Sequence, residues 1–566
     1  MNVLQVLFLL PILAVGLAAG AHATAYLHGE AKKHLFRFWS FFLATLAAMI
    51  GVILSSGMIP FILAWEAMGL ASAGLVAFEN REKSVRKATW IYLLACHAGA
   101  CALMLAGVLL HRGDAFLAAF LCAVVGFGLK IGFPPFHVWL PEAHPAAPAP
   151  ASAVMSGAMI PLGFFGLCKF FFPDVFHSAT PLTCGWIILV LGAVGAVGGI
   201  LFALPQVNIK KLLAFSSVEN MGVIALGLGL TVLARPYADG APEASLAYGF
   251  ACAGALAHVL NHALLKGALF LGAGSVLRQT GTLDQDRLGG LLKRMPRTGT
   301  LFTLNALGLA GLPPLNGFLG ELLIYIAAFH AVASHVPVLM AAGFLTFTAL
   351  ALTGGLAAAA YCKTIGATFL GEPRGEAAAK AVETPRVMWL AQLGLTCASV
   401  VMVPGTIVLA APLTDGQSTA PLLTAAVAGA AVVGLTAALV ALRRFVCPRG
   451  KAKPACPTWD CGYHDPTARM AYTGTAFTQP LADLFDPVLN SRKHLIPFKG
   501  HPSAPTDAAL VTETDDRALS SFWRPAFTAV ARVFQRAHLL QNGSIHLYIL
   551  LLIIAVVIML VAAIAS

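Results

Sequence analysis

The feature that most constrains this chain is a series of long apolar runs with very few charged residues. A helix that crosses the hydrocarbon core of a bilayer needs about 20 predominantly apolar residues. Fourteen runs of that kind are predicted to span a membrane, near residues 4–20, 36–57, 60–77, 90–110, 115–139, 151–172, 184–204, 212–233, 246–276, 299–333, 338–370, 386–411, 421–442 and 545–565. The pattern therefore predicts an all-α polytopic membrane protein.

The composition excludes several other classes of protein. Charged residues make up 11% of the 566 residues and hydrophobic residues 58%. Soluble domains carry about 25% charged residues, which excludes a soluble enzyme, a nucleic-acid-binding protein and a disordered chain. A transmembrane β-barrel would show alternating segments of about ten residues instead of long apolar runs. The first run lacks a preceding basic stretch, so we expect a mature helix there rather than a signal peptide.

The basic residues orient the chain. The net charge is 36 − 25 = +11. Alternate loops between the predicted spans hold almost all of the positive charge, and only Arg112 and Arg235 fall in the other set. The basic set comprises Lys32, Lys33, Arg81, Lys83, Arg86, Lys87, Lys210, Lys211, Arg278, Arg287, Lys293, Arg294, Arg297, Arg374, Lys380, Arg386, Arg443 and Arg444. Because cytoplasmic loops are enriched in Lys and Arg, this set is predicted to be cytoplasmic and both termini to lie outside.

Two of the predicted spans contain paired prolines, Pro134-Pro135 in the fifth and Pro313-Pro314 in the tenth. Proline pairs interrupt helices, and broken helices at membrane depth are tolerated only inside protein or beside a wet cavity. The two spans are five apart, so they run in opposite directions. This arrangement indicates two inverted five-helix repeats, each with a Pro-broken helix; simple packing kinks are the alternative.

The repeats divide the chain into six predicted segments. They are an N-terminal helix and loop (1–35), a first repeat (36–172), a second, inverted repeat (184–370), two further transmembrane helices (386–442), a cytoplasmic-side segment with an amphipathic helix (443–544) and a C-terminal transmembrane helix (545–566).

Ionisable residues inside the apolar spans are the candidate functional residues. A charge at the bilayer centre costs ~2.5–3.5 kcal/mol on insertion scales, so each requires a reason. Glu66 and Lys130 are predicted to stabilise each other's charged forms from neighbouring helices, so that a change in their separation moves a proton. A static structural ion pair is the alternative.

A polar stripe runs along the ninth predicted span. His258, His262 and Lys266 follow an i, i+4, i+8 spacing in AHVLNHALLKGALF, which places them on one face of a helix. Histidine titrates near neutral pH, so the stripe indicates a proton relay. Hydrogen-bonded histidines that only pack the bundle are the alternative. The spacing lacks the glutamate of HExxH, so no metal site is predicted.

The remaining candidates lie on other spans. Glu321 and Lys363 are expected to form the last pair of the relay, unless Lys363 extends to the cytoplasmic surface instead. Glu219 is a weaker candidate because it lies close to the start of its span. Lys169, near the outer end of its helix, is better explained as a surface-reaching anchor.

Several stretches together resemble the antiporter-like subunits shared by respiratory complex I, multisubunit Na⁺/H⁺ antiporters and group 4 [NiFe] hydrogenases. They are FILAWEAMGLAS, GFGLKIGFPPFHVWLPEAHPAAPAPASAVMSG, NIKKLLAFSSVENMG, HVLNHALLKGALFLGAGSV and GLPPLNGFLGE. VENMG, PPLNGF, YCKTIGATFLG and TWDCGYHDPTARMAYTGTAFTQPL are most similar to the large membrane subunit of hydrogenase-4 and formate hydrogenlyase. The resemblance covers nearly the whole chain.

The resemblance implies a proton-translocating subunit of a multisubunit respiratory oxidoreductase in a bacterial or archaeal inner membrane. Glu66, Lys130, the histidine stripe with Lys266, and Glu321 match the family's proton path, and Lys363 matches a lysine of the hydrogenase branch. No redox cofactor is expected in this chain; the NiFe centre and Fe–S clusters would belong to soluble partner subunits beside other membrane subunits. The alternatives are a Na⁺/H⁺ antiporter subunit and a membrane scaffold that moves no ions.

Two departures from the family pattern bear on this reading. Two spans precede the one with Glu66, where the family usually has four, so the N-terminus is expected to be about two helices short. Ser156 and Pro161 also stand where a bridging His or Lys is usual. Water or Lys169 would then have to link the two half-channels. If neither does, the subunit conducts protons poorly.

The polar segment 443–544 contains three cysteines and an amphipathic stretch. Cys447, Cys456 and Cys461 fit no standard zinc or Fe–S spacing, so no metal site is predicted there. From Arg517 to Leu540, apolar residues recur every three to four positions with arginines between them, which predicts an amphipathic helix. The resemblance identifies it with the family's lateral helix, which packs along neighbouring subunits; membrane-surface anchoring is the alternative.

Overall fold

The computed structural model describes residues 2–113, 115–172, 182–446, 472–501, 504–514, 516 and 518–537. The chain divides into two compact units, Met1–Thr514 and Asp515–Ser566. The predicted fourteenth span, 545–565, and the three cysteines of the polar segment lie outside the described residues.

The first unit consists almost entirely of helices. Through the second of the proline pairs they are α1 Val3–Tyr26, α2 Lys32–Leu54, α3 Met58–Val76, α4 Lys83–Arg112, α5 Phe116–Ile131, α6 Leu140–Ala146, α7 Ala149–Val154, α8 Leu162–Phe171, α9 Leu182–Ala203, α10 Ile209–Ala238, α11 Pro242–Thr280, α12 Leu291–Arg294 and α13 Pro296–Leu309. Then follow α14 Asn316–Ala333, α15 Pro337–Phe369, α16 Glu376–Lys380, α17 Arg386–Ala410, α18 Thr419–Val446, α19 Gly474–Leu484 and α20 Asp486–Leu489.

Thirteen helices in the described part of the chain are long and apolar enough to cross a membrane. They correspond to the first thirteen predicted spans, so the predicted fold class is confirmed. Local signals set several of the ends. The Asn208 side chain accepts a hydrogen bond from the Lys211 backbone N–H at the start of α10, and α4 and α11 end at Gly113 and Gly281, which have positive φ angles of 78° and 67°.

Both proline pairs lie where a helix is interrupted. α5 ends at Ile131, and after Pro134-Pro135 the chain continues as a 3₁₀ turn, Phe136–Trp139, and then as α6. α13 ends at Leu309, and α14 begins after Pro313-Pro314. Each pair contains a cis peptide bond. The helices on either side of the second pair are separate elements, of which only α14 has spanning length. The inverted-repeat relation stays a prediction.

α10 and α11 form the centre of the helical unit. The most apolar window of each is entirely buried. Glycines allow α9 to approach α10 closely: a Cβ at Gly222 would lie 2.1 Å from the Ala196 backbone nitrogen. Such small-residue contacts are typical of packed membrane helices. Because both central helices are covered on all sides, any polar group on them must find its partners inside the bundle.

The end of the first unit contains two described strands that the all-α prediction did not include. β1 Ser491–His501 and β2 Ala504–Thr514 pair as an antiparallel hairpin, in register from Ser491 opposite Thr514 to His501 opposite Ala504. In the second unit, a π-helical turn, Ala518–Trp523, leads into α21 Arg524–Ala537. This helix lies within the predicted amphipathic segment; a lateral role for it stays a prediction.

Candidate functional site

Lys130 occupies a pocket of aromatic and hydroxyl groups near the end of α5. Its side chain is buried, and its ammonium donates hydrogen bonds to Tyr92 Oη and Cys96 Sγ, both at 3.3 Å. The nitrogen also lies 5.7 Å from the centre of the Trp65 ring, within the range of a cation–π interaction. Tyr92 Oη is hydrogen-bonded to Ser72 Oγ at 2.6 Å. Lys130 is therefore held by neutral groups that can accept or exchange a proton.

Glu66 and Lys130 were predicted to stabilise each other's charged forms across a changing separation, and in the structure each contacts other groups directly. Their coupling stays a prediction. Glu66 Oε2 lies 3.0 Å from Nδ1 of His97 on α4, and no ion pair between Glu66 and Lys130 is present within this described region. Cys96, the residue before His97, is the one that contacts Lys130. Sequence reasoning missed His97 because it belongs to a different apolar run, and only the packing of α3 against α4 brings it to Glu66.

At the centre of the bundle, hydrogen bonds link a carboxylate, two hydroxyls and a lysine in that order. Ser216 Oγ donates to Glu219 Oε2 at 2.6 Å and is hydrogen-bonded to Tyr361 Oη, also at 2.6 Å. Lys266 Nζ donates to Tyr361 Oη at 3.4 Å and to the Leu213 carbonyl at 3.0 Å. We call Glu219, Ser216, Tyr361 and Lys266 the central cluster. All four side chains are buried.

The central cluster has the chemistry of a short proton relay. A hydroxyl both donates and accepts hydrogen bonds, so each can pass a proton on by reorienting. The carboxylate and the amine at the two ends are the groups that change charge. Ser216 and Glu219 are three residues apart and therefore share one face of α10. Sequence reasoning ranked Glu219 low and did not include Ser216 or Tyr361, because neither is ionisable near neutral pH.

The histidine stripe on α11 continues from the central cluster. His258 Nε2 is 3.1 Å from Asn220 Oδ1. His258 Nδ1 and both ring nitrogens of His262 have no partner among the described residues, and the same is true of His144 on α6. Buried imidazole nitrogens without a partner are costly unless water reaches them. This part of the interior is therefore suited to an internal water chain.

Glu321 and Lys363 were predicted to form the last pair of the relay, but the described contacts of Lys363 are with backbone carbonyls. Their place in the relay stays a prediction. Lys363 is buried, and its ammonium donates to the carbonyls of Leu204 at 2.6 Å and Gln206 at 2.7 Å, beyond the end of α9. It does not extend to the surface either. Tyr361 and Lys363 are two residues apart, about 200° around a helix, so only Tyr361 faces the central cluster. The Glu321 carboxylate lies beside Gly311 at the second helix break.

An asparagine pair joins α11 to the second break. Asn261 Nδ2 donates to the Asn316 carbonyl at 2.7 Å, and Asn316 Nδ2 donates back to Asn261 Oδ1 at 3.0 Å. Gly320, next to Glu321, leaves room for this contact, since a Cβ there would lie 3.0 Å from Asn261 Nδ2. These two hydrogen bonds hold the second helix break against α11, about one helical turn along α11 from His258.

The position of the usual bridging cation is occupied by hydroxyl groups. Ser156 lies in a π-helical turn, Met155–Met159, and its Oγ is 2.8 Å from Ser217 Oγ on α10. From the other side, the Tyr92 hydroxyl donates to Met159 Sδ at 3.7 Å. The turn therefore lies between the Lys130 pocket and α10, with hydroxyls on one side and a thioether on the other.

Lys169 lies at the end of its helix. Its ammonium donates to the backbone carbonyl and, at 3.1 Å, to the hydroxyl of Ser55, and it is surrounded by the rings of Phe61, Phe165 and Phe170. This position is compatible with the predicted anchor. Pro161 precedes α8 and marks its start.

A cavity of about 730 Å³ opens on the side of the protein that carries the basic loops. Four carboxylates and three cations line it: Glu30, Glu79, Glu82, Glu142, Lys210, Lys211 and Arg278. Lys210 was expected to lie in a loop. Instead it is in the first turn of α10, buried, with Nζ 2.6 Å from the Ala147 carbonyl. The described residues contain no group of three His, Cys, Asp or Glu side chains that could hold a metal.

Comparison with known proteins decides the family. Residues 55–349 match the family described as NADH:quinone oxidoreductase/Mrp antiporter, transmembrane. The chain belongs to this family. It is 34% identical to hydrogenase-4 component B of Escherichia coli (strain K12) over 91% of this chain and 82% of that protein. It is 33% identical to formate hydrogenlyase subunit 3 of the same strain, over 80% and 75% of the two chains.

A solved structure shares the fold of this member of the NADH:quinone oxidoreductase/Mrp antiporter family. A chain of the membrane-bound sulfane sulfur reductase, an archaeal respiratory membrane complex, matches 99% of this chain and 89% of its own length, with a TM-score of 0.73 and 23% sequence identity. The family match and the 34% identity to hydrogenase-4 component B confirm the resemblance inferred from the sequence motifs.

Proposed function

We propose that this chain is the proton-translocating membrane subunit of a multisubunit respiratory oxidoreductase of the hydrogenase-4 or formate hydrogenlyase type. It would lie in the inner membrane of a bacterium or archaeon, beside other membrane subunits. Soluble partners would hold the NiFe centre and Fe–S clusters, as the resemblance implies, and the buried groups of this chain would carry protons. Its relatives support this assignment, since the two E. coli proteins are named as hydrogenase-4 and formate hydrogenlyase components.

The observation that carries the proposal is the central cluster. A carboxylate and a lysine buried in membrane helices cost free energy unless they have a role. Here Glu219 and Lys266 are joined through two hydroxyls at 2.6, 2.6 and 3.4 Å, a spacing over which protons move without large motions. A subunit that served only as a scaffold would have no need of this arrangement.

The proposed coupling is a charge displacement along the buried groups. When a proton leaves Lys266 towards Glu219, the field at the histidine stripe changes, and Lys130 responds to that change of field across the Met155–Met159 turn. Glu321 would take the last step at the second break. The cavity beside Lys210 is also lined by Pro145 and Ala146, and it would offer protons an aqueous entrance close to the neighbouring His144.

The test is proton uptake by vesicles that contain the whole complex, with electron transfer assayed in parallel. We compare the wild type with Lys130→Met, which removes the charge and keeps most of the side-chain volume. Lys380→Met is the matched control, since Lys380 is exposed and forms an ion pair at 3.0 Å with Glu376, its neighbour one helical turn away. We expect uptake to fall in Lys130→Met and to remain normal in the control.

Three results contradict the proposal in different ways. Unchanged uptake in Lys130→Met, with the complex assembled, favours a scaffold that moves no ions. Uptake that requires sodium and no electron donor favours the Na⁺/H⁺ antiporter subunit. An equal fall in Lys380→Met shows that uptake responds to any loss of positive charge.

A further inference from the structure

α1 and α2 enclose an apolar groove on the surface of the first unit, with a volume of about 330 Å³. It is lined by side chains between Ile12 and Thr24 on α1 and between Trp39 and Ile50 on α2, nearly all of them aliphatic or aromatic. The Thr24 hydroxyl already donates a hydrogen bond to the Ala21 carbonyl at 2.7 Å. A ligand in this groove, which we call the α1–α2 groove, would therefore meet mainly hydrocarbon.

Two glycines of α1 shape the groove. A Cβ at Gly16 would lie 3.0 Å from Leu46 Cδ2, so the two helices touch at this point and close the floor of the groove. A Cβ at Gly20 would lie 3.7 Å from the Phe42 ring and 3.9 Å from the Trp39 ring, which are ordinary contact distances. The backbone at Gly20 thus has room for a side chain, and any atom beyond Cβ would enter the groove.

The groove is about as long as one leaflet of a bilayer. From Ile12 to Thr24, α1 rises about 18 Å at 1.5 Å per residue, and half of the ~30 Å hydrocarbon core is about 15 Å. Towards the start of α1, the Gln5 side chain donates a hydrogen bond to the Ile53 carbonyl at 3.0 Å and joins the two helices. The groove therefore lies in the half of the membrane on the side of the basic loops.

This length favours a lipid chain over a transmembrane helix as the occupant. A helix that packs between α1 and α2 would need a contact surface through the full ~30 Å of hydrocarbon, and the groove ends well before the other membrane surface. The acyl chain of a phospholipid spans one leaflet, consists of hydrocarbon alone and is narrow enough to lie between two helices. The dimensions and the lining of the groove both match one acyl chain.

A cation lies at the open end of the groove. One face of α2 carries residues that recur every three to four positions from the lysine at its start: Lys32, Phe36, Trp39, Leu43, Leu46 and Ile50. The Lys32 side chain is exposed, and Glu30, the carboxylate of the preceding loop, is paired with His34 at 3.2 Å. The first-turn N–H groups of a helix also favour an anion. Lys32 is therefore well placed to bind a phosphate group.

We infer that the α1–α2 groove binds an anionic phospholipid, with one acyl chain between the two helices and its phosphate group at Lys32 and the first turn of α2. Basic residues near the membrane surface attract anionic headgroups, and the groove fixes the position of the chain. The bound lipid would fill the space between α1 and α2 and hold the two helices together on this side of the membrane. The inference does not depend on whether the chain translocates protons.

The first experiment tests the groove. Lipid bound to the purified whole complex is measured by native mass spectrometry after phosphatidylglycerol and phosphatidylethanolamine are added in equal amounts. Gly20→Leu places a side chain in the groove, and Gly198→Leu is the matched control on α9, where no atom lies within 4 Å of the added Cβ. We expect one bound phosphatidylglycerol to be lost in Gly20→Leu and retained in the control. Equal binding in wild type and both variants overturns the inference.

The second experiment tests the headgroup and leaves the groove intact, so it stays decisive if Gly20→Leu fails to fold. Lys32→Gln is compared with Lys33→Gln, which removes the same charge from the next exposed residue, about 100° away around α2. We expect the preference for phosphatidylglycerol over phosphatidylethanolamine to fall about fivefold in Lys32→Gln, the contribution of one lysine near a headgroup. The preference should be unchanged in Lys33→Gln. An equal fall in both variants, or a fall in neither, refutes the assigned phosphate position.

The third experiment distinguishes a bound lipid from surrounding lipid and from a protein partner. Phosphatidylglycerol with a photoreactive diazirine in its acyl chain is added to the whole complex, and labelled peptides are sequenced after irradiation. We expect stronger labelling of residues 12–24 and 39–50 than of α18, whose apolar surface is almost entirely exposed. Equal labelling of α18 would show that the groove meets only surrounding lipid. An unlabelled groove would show that another polypeptide covers it, and either result overturns the inference.

Discussion

Removing the Ser216 hydroxyl isolates the relay of the central cluster from the rest of the bundle. Ser216→Ala deletes one oxygen that donates to Glu219 Oε2 and is shared with Tyr361 Oη, each at 2.6 Å. It leaves both ends of the relay in place. Ser217→Ala is the matched control, since Ser217 is equally buried on the next position of α10 and bonds instead to the Leu213 carbonyl at 2.9 Å and to Ser156 at 2.8 Å.

The size of the effect follows from the two bonds that are lost. A hydrogen bond to a charged group contributes about 1.5–3 kcal/mol and a neutral one about 1 kcal/mol. If the bond to the carboxylate is used in proton transfer, its loss raises the barrier by a similar amount. Since each 1.36 kcal/mol is a factor of ten in rate, transfer slows by about 10- to 100-fold. The control variant loses only neutral hydrogen bonds, so we expect it to lower the stability of the protein and not the rate of proton transfer.

The assay is the initial rate of proton uptake per electron transferred in vesicles that contain the assembled complex. We expect a large fall in Ser216→Ala and near-normal uptake in Ser217→Ala, with both variants retaining their partner subunits. Wild-type uptake in Ser216→Ala refutes the relay. An equal fall in Ser217→Ala would instead indicate that the hydroxyls act through the packing of α10.

Two further predictions concern the fold. Gly222→Ala should destabilise the protein by about 1–3 kcal/mol or more, because the added Cβ would lie 2.1 Å from the α9 backbone. Gly198→Ala is the control and should be neutral, because no atom lies within 4 Å of its Cβ position. Thermal unfolding in detergent compares the two variants, and equal unfolding midpoints would contradict the close contact. Thr475→Ala removes a hydroxyl that donates a hydrogen bond to Asp286 Oδ2 at 2.6 Å and so helps to hold α19 in place. Limited proteolysis around residue 475 should therefore become faster. An unchanged cleavage rate would show that this contact does not hold α19.

Patterns within single helices predicted the fold well. Thirteen apolar runs became thirteen helices of spanning length, because in a bilayer a backbone without water has to satisfy its hydrogen bonds within the helix. Both proline pairs interrupt helices for an equally local reason, the loss of backbone donors. The hairpin was missed because its strand β1 contains Pro497, a residue that argues against a strand; the pairing shifts register between Ile496 and Lys499, around that proline.

The partners of the buried charges were predicted poorly. Glu66 and Lys130 were assigned to each other because a carboxylate and an ammonium on neighbouring helices stabilise each other's charged forms. The structure instead pairs Glu66 with His97 and surrounds Lys130 with Tyr92 and Cys96. Uncharged partners leave no distinctive signal in a sequence that is rich in apolar and small residues.

The sequence by itself determined the membrane-spanning class, the number and order of the described spans, the two helix breaks and the ionisable residues placed at membrane depth. These depend on the length and periodicity of one segment at a time. Only the tertiary structure decided which groups meet: that Tyr361 and not Lys363 faces Lys266, that Ser216 bridges to Glu219, and that His97 remains on the outer surface. Those contacts depend on how each helix is rotated about its axis. That rotation is set by close packing against several neighbours at once, which a single run of residues does not encode.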